Sequence, residues 1–132
     1  MNPVLVPELR YRRLWLGVGL LLAAIISLLS LLPNEDLPDV HLWDKLEHTL
    51  AYVALAFSFG SVIVRRDFFW LAVILVTFGG AIELLQAHVG RDAEWGDLLA
   101  DAIGTTVGLL LAVTPLGRWP YWFEALLPGP RE

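Results

Sequence analysis

At 132 residues with a formal net charge of -5, the chain has room for one compact unit. Only 17% of its residues are charged and 57% are apolar, against about a quarter charged in a soluble domain, so lipid rather than water is the expected solvent. No basic run or aromatic-basic surface argues for nucleic acid, and the absence of cysteine excludes disulfides and thiolate metal sites.

The first predicted helix covers residues 14–32, a stretch without charge. At about 1.5 Å per residue it is about 28 Å long, nearly the hydrocarbon thickness of a bilayer. Arg10, Arg12 and Arg13 precede it, as they would in a secretory signal. A cleavable apolar region is shorter, about 7–15 residues, and ends at small residues, so an uncleaved anchor is the better reading. Pro33 and Asn34 stop the helix, and an acidic loop follows with Glu35, Asp36, Asp39 and Asp44. The second helix is expected over residues 46–64, with Glu47 and His48 near its start, and Arg65, Arg66 and Asp67 make a polar turn. The third runs over 68–89 and contains one acid, Glu83. After a short polar loop, the fourth runs over 98–113 and contains Asp101, and Pro115 and Gly117 end it. Trp119, Tyr121, Trp122 and Phe123 then mark residues 118–127 as an interfacial segment rather than a fifth span.

These elements predict an all-α integral membrane protein, a single domain forming a four-helix transmembrane bundle. If the four helices alternate in direction, Arg10, Arg12, Arg13, Arg65, Arg66, Arg118 and Arg131 share one side, and only Lys45 and Arg91 lie on the other. The excess of positive charge places the first side, with both termini, in the cytoplasm.

The polar interruptions are the candidates for chemistry. Counted from the cytoplasmic helix ends, His48, Glu83 and Asp101 lie about 24, 22 and 24 Å up their helices, at a common height below the outer face. Asp44, His48 and Tyr52 recur every fourth residue and share one face. Glu83 and Gln86 share a face with Gly79, and Asp97 and Asp101 share one with Gly104 and Gly108. The last two glycines form a G-x-x-x-G pattern, which turns Asp101 towards a neighbouring helix. Ionisable groups facing a bundle interior are expensive there, which makes them functional candidates. Each also has a structural reading: His48 as the neutralising partner of an acid, Glu83 as a side chain reaching the outer surface, Asp44 and Asp97 as helix N-caps, Lys45 and Arg91 as interface anchors, and Tyr52 as core.

Asp44-Lys45-x-x-His48-x-x-x-Tyr52, Glu83-x-x-Gln86 followed by Arg91, and Asp97-x-x-x-Asp101-x-x-Gly104-x-x-x-Gly108 occur in that order. In this order and spacing the motifs resemble the VanZ-like family of bacterial membrane proteins, over roughly half the chain. The resemblance implies a multi-pass protein of the bacterial cytoplasmic membrane concerned with the cell envelope. The family is named after a factor in resistance to the glycopeptide teicoplanin. Asp101 stands where the family usually has Asn, which adds an acid to the cluster.

Three functions compete. In the first, Lys45 and Arg91 hold the anionic head group of a lipid-linked cell-wall precursor or other amphipathic envelope molecule, with Asp44, Tyr52, Gln86 and Asp97 as further contacts and His48, Glu83 and Asp101 beneath. In the second, those three residues form the catalytic centre of an intramembrane hydrolase or transferase. They could include metal ligands, although no H-E-x-x-H or similar tight pair assigns a metal or other cofactor. In the third, the cluster locks a structural or partner-binding bundle. A transporter is disfavoured, since four short helices leave little room for alternating access.

Overall fold

The computed structural model describes residues 3–32, 41–90 and 94–129, with the side chains of 41–44 left aside. The described chain is helical: α1 is Arg12–Leu31, α2 His41–Gly60, α3 Phe68–His88, α4 Trp95–Ala112 and α5 Trp119–Leu126. Single 3-10 turns, Arg65–Asp67 and Pro115–Arg118, lead into α3 and α5. Among the described residues the sole β pairing is an isolated antiparallel bridge between Leu5 and Ile63.

Three stretches, Arg12–Leu31, Arg65–His88 and Trp95–Ala112, are long and apolar enough to cross a membrane. Their surface is inverted relative to that of a soluble protein. On α4 the buried stripe is Asp97, Ala100, Asp101, Gly104, Thr105, Gly108 and Ala112, while Leu99, Ile103, Val107 and Leu110 are exposed. On α3 Glu83 and Gln86 are buried, with Trp70, Ile74, Leu84 and Leu85 outside. A continuous apolar exterior this large is untenable in water and suits lipid.

α2 is the exception, because the other helices pack around it. Tyr52, Leu55, Ala56 and Phe59 of α2 join Leu71 and Leu75 of α3 in the core, and Leu16, Leu22, Ala23 and Ile26 of α1 close over them. α4 comes closest. A Cβ on Gly104 would strike the Thr49 carbonyl oxygen, and one on Gly108 would meet the Val53 carbonyl and the Ala56 side chain. One turn further along, Gly60 lies against Ala112. The small-residue row 104–108–112 thus brings two backbones together, as the glycine spacing predicts.

Two helices, α2 and α4, differ most from the sequence reading. α2 runs over 41–60 rather than 46–64, because Ser61–Val64 leaves the helix to pair with the N-terminal segment: the Val6 N–H donates to the Val62 carbonyl and the Val64 N–H to that of Val4. α4 starts at Trp95, three residues before expectation, so Asp97 sits in its first turn and Glu94 occupies the cap position. Asp44 likewise falls inside α2, so neither aspartate is an N-cap.

The arginines of the described chain gather at one end. Arg65 donates to the Val113 carbonyl and Arg66 to that of Pro3, near the start of α1 and the turn before α5. Glu124 of α5 accepts from the backbone N–H groups of Arg10 and Tyr11 and from the Trp15 indole. Trp15, Trp119 and Phe123 pack edge to face around it. Lys45 stands at the opposite end, on the first turns of α2.

Candidate functional site

At that opposite end, α2, α3 and α4 each contribute ionisable groups to one place. His48 lies on α2 one turn before Tyr52, Asp101 lies on α4 one turn after Asp97, and Glu83 faces them from α3. One ligand-type atom from each of His48, Glu83 and Asp101 lies within 4.8 Å of the others. The expected depths were measured to helix ends that the structure moves, Val64 to Gly60 and Gly117 to Ala112. Both His48 and Asp101 therefore stand about 6–8 Å less far up their helices than expected, and their meeting is unaffected.

The contacts are specific. His48 Nδ1 is 3.0 Å from Asp101 Oδ1, and its Nε2 is 4.0 Å from Asp97 Oδ2 on the other side of the ring. Asp101 is almost entirely enclosed, at 1% exposure, and Asp97 and Tyr52 are at 3%. Gly79 of α3 makes room for this packing: a Cβ there would overlap the Asp101 carboxylate and touch the Tyr52 hydroxyl. Glu83 is 8% exposed, and neither of its carboxylate oxygens makes a hydrogen bond. The backbone N–H of Glu94 approaches it at a geometry that falls short of one.

Above this layer, Lys45 Nζ lies 2.6 Å from Glu94 Oε2 and 3.6 Å from Asp97 Oδ1. Its aliphatic stem lies across Gly96. The Lys45 and Glu94 side chains are about one-third exposed, so the pair closes the mouth of the site at the surface.

The remaining sequence candidates fall elsewhere. Gln86 is buried, but its amide nitrogen donates to the Ser30 carbonyl at the end of α1, so this donor ties two helices together instead of serving the cluster. The Asp44 side chain and Arg91 lie outside the described residues. Sequence reasoning missed Glu94, which it left in a loop and which is the nearest partner of Lys45. It also did not weigh Gly79 as the space for Asp101. A cavity of about 690 Å³ exists at the arginine-rich end, lined by Glu8, Ser61, Arg65, Thr114, Arg118 and Tyr121 among others, and is separate from the His48 cluster.

The fold and site define a class: an all-helical protein with three helices apolar enough for a membrane and a buried histidine–carboxylate cluster between helices. No family model, curated protein or solved structure matches the chain.

Proposed function

We propose that the chain is a four-span protein of the bacterial cytoplasmic membrane, VanZ-like in type, with both ends cytoplasmic, whose His48 site lies just beneath the outer face and handles the head group of an amphipathic envelope molecule. The observation that carries this reading is the convergence of His48, Glu83, Asp97 and Asp101 from three helices at one buried level. Crossing by α2 is supported by its sheath of apolar helices, which relieves it of the need for a lipid-facing surface of its own. Orientation is supported by the gathering of arginines at the far end.

The site would take a head group at its mouth, where Lys45 is partly exposed. Lys45 and Glu94 form a half-open ion pair, and exposed pairs are weak. An anionic phosphate can therefore displace Glu94 from the ammonium at little cost. Binding of a polyisoprenoid phosphate to the protein in nanodiscs, compared with the uncharged polyisoprenol of the same length, tests this. The phosphate is expected to bind at least tenfold tighter, with Lys45→Ala losing about tenfold. Equal binding of alcohol and phosphate, or an unaffected Lys45→Ala, sinks the proposal.

A further inference from the structure

We infer that His48, Glu83 and Asp101 hold one divalent transition cation of the zinc or manganese class between α2, α3 and α4. The inference deepens the preceding one, since it rests on the same residues forming a single site. It starts from Glu83. This carboxylate is 8% exposed, both its oxygens are shielded from solvent, and no hydrogen bond reaches either of them. A buried carboxylate left in that condition is among the costliest arrangements in a helix bundle, and a cation is the partner that relieves it.

The geometry around Glu83 suits an ion. Donor atoms of the three residues already lie within 4.8 Å of one another. Neighbouring ligands of an ion bound at about 2.1 Å are about 3.0 Å apart in an octahedral arrangement, and His48 Nδ1 and Asp101 Oδ1 are 3.0 Å apart. A third ligand stands about 3.0 Å from at least one of these two, so Glu83 closes the set by a side-chain movement of at most about 1.8 Å. On the far side of the imidazole, Asp97 Oδ2 stands 4.0 Å from Nε2. That is where an outer carboxylate orients a metal-bound histidine by accepting its remaining N–H.

Charge and donor type agree. Two carboxylates cancel a dication, and the neutral imidazole adds nothing, so the loaded centre carries no net charge into a low-dielectric place. A nitrogen with two carboxylate oxygens favours first-row transition ions and disfavours calcium and magnesium, which take oxygen alone. Three protein ligands leave coordination positions for water or for a phosphate oxygen entering past Lys45.

The competing account is an ion-free cluster in which His48 Nδ1–H simply donates to Asp101. The test uses full-length protein in detergent, stripped with a chelator and then titrated with Zn²⁺ or Mn²⁺. One ion per chain is expected to survive desalting, with Mg²⁺ failing to compete at a hundredfold excess. Glu83→Gln and Asp101→Asn each are expected to weaken binding at least a hundredfold. Bound Mn²⁺ should show magnetic coupling to a single imidazole nitrogen, lost in His48→Gln. This signature is read on the parent protein, so it decides the matter even where a variant fails to fold. No retained ion, Mg²⁺ binding equal to Zn²⁺, or bound Mn²⁺ without nitrogen coupling overturns the inference. A chain that takes up the ion but ignores polyisoprenoid phosphate keeps this centre and discards the head-group reading. The opposite result does the reverse.

Discussion

Gly79 and Gly80 are adjacent on α3 and meet very different surroundings. A Cβ at Gly79 would enter the space of the Asp101 carboxylate and the Tyr52 hydroxyl, whereas one at Gly80 would reach only Leu98 Cδ1 at 3.9 Å, an ordinary contact. Gly79→Ala is therefore expected to lose about 1–3 kcal/mol from overpacking and to displace Asp101. Gly80→Ala should be neutral, or stabilising by up to about 1 kcal/mol through helix propensity. Thermal unfolding of the two variants in the same detergent checks this, and equal melting temperatures would contradict the packing described for Asp101. His48, Glu83 and Asp101 were legible in the sequence because each interrupts an apolar run, although the equal heights reckoned for them used helix ends that the structure moves for α2 and α4. Gly79 and Glu94 were not legible. Nothing in α3's own pattern marks Gly79 as a seat for an α4 carboxylate, and Glu94 acquires its role from a lysine 49 residues away.

Among the helices, α1, α3 and α4 could be read almost directly, since a lipid-facing surface demands long uncharged stretches. The G-x-x-x-G pattern likewise announced the close approach that Gly104 and Gly108 make to the α2 backbone. The end of α2 was misread because apolar character continues through Ser61–Val64 while the backbone does not stay helical. Val62 is wholly buried in the turn that follows the helix, so hydrophobicity is satisfied off the helix, beside the bridge to residues 4–6. In this bridge Leu5 and Ile63 are flanked by hydrogen bonds rather than joined by them, the arrangement that brings opposed Cα atoms to about 4.5 Å. That distance lies within disulfide reach, about 4.4–6.8 Å. The chain has no cysteine of its own, so Leu5→Cys/Ile63→Cys is expected to cross-link efficiently under mild oxidation, while Leu5→Cys/Ser58→Cys does not. Mass spectrometry of oxidised membranes would report this, and failure of the first pair would restore a continuous helix to Val64.

The whole molecule has two differently built ends. One holds the polar cluster. The other is tied together by the 4–6 and 62–64 backbone pairing and by Glu124, whose three donors come from Arg10, Tyr11 and Trp15. Partial burial works against the Glu124 charge, but the Tyr11 N–H, the Trp15 indole and the Arg10 N–H outweigh it and hold the carboxyl below its ordinary value of 4.5. A carboxyl lowered on folding stabilises the fold fully above the unfolded value and loses that contribution as pH falls through the folded one. The α5 contact should thus be constant above about pH 5 and loosen progressively below 4.5. Tryptophan emission against pH should follow this loosening, and Glu124→Gln should flatten the curve. A parent protein with flat emission down to pH 3 would speak against it. The Glu124 contact escaped sequence reasoning because its donors lie 109–114 residues away, whereas the aromatic run around it was conspicuous. The sheathing of α2 bears on how the chain is made. Segments that enter a bilayer one at a time are admitted on their own partition free energy, and α2, with Lys45, Glu47 and His48 in its first turns, is a poor candidate for solitary entry. If α2 crosses as proposed, it is expected to linger beside the insertion machinery until α3 and α4 emerge to enclose it.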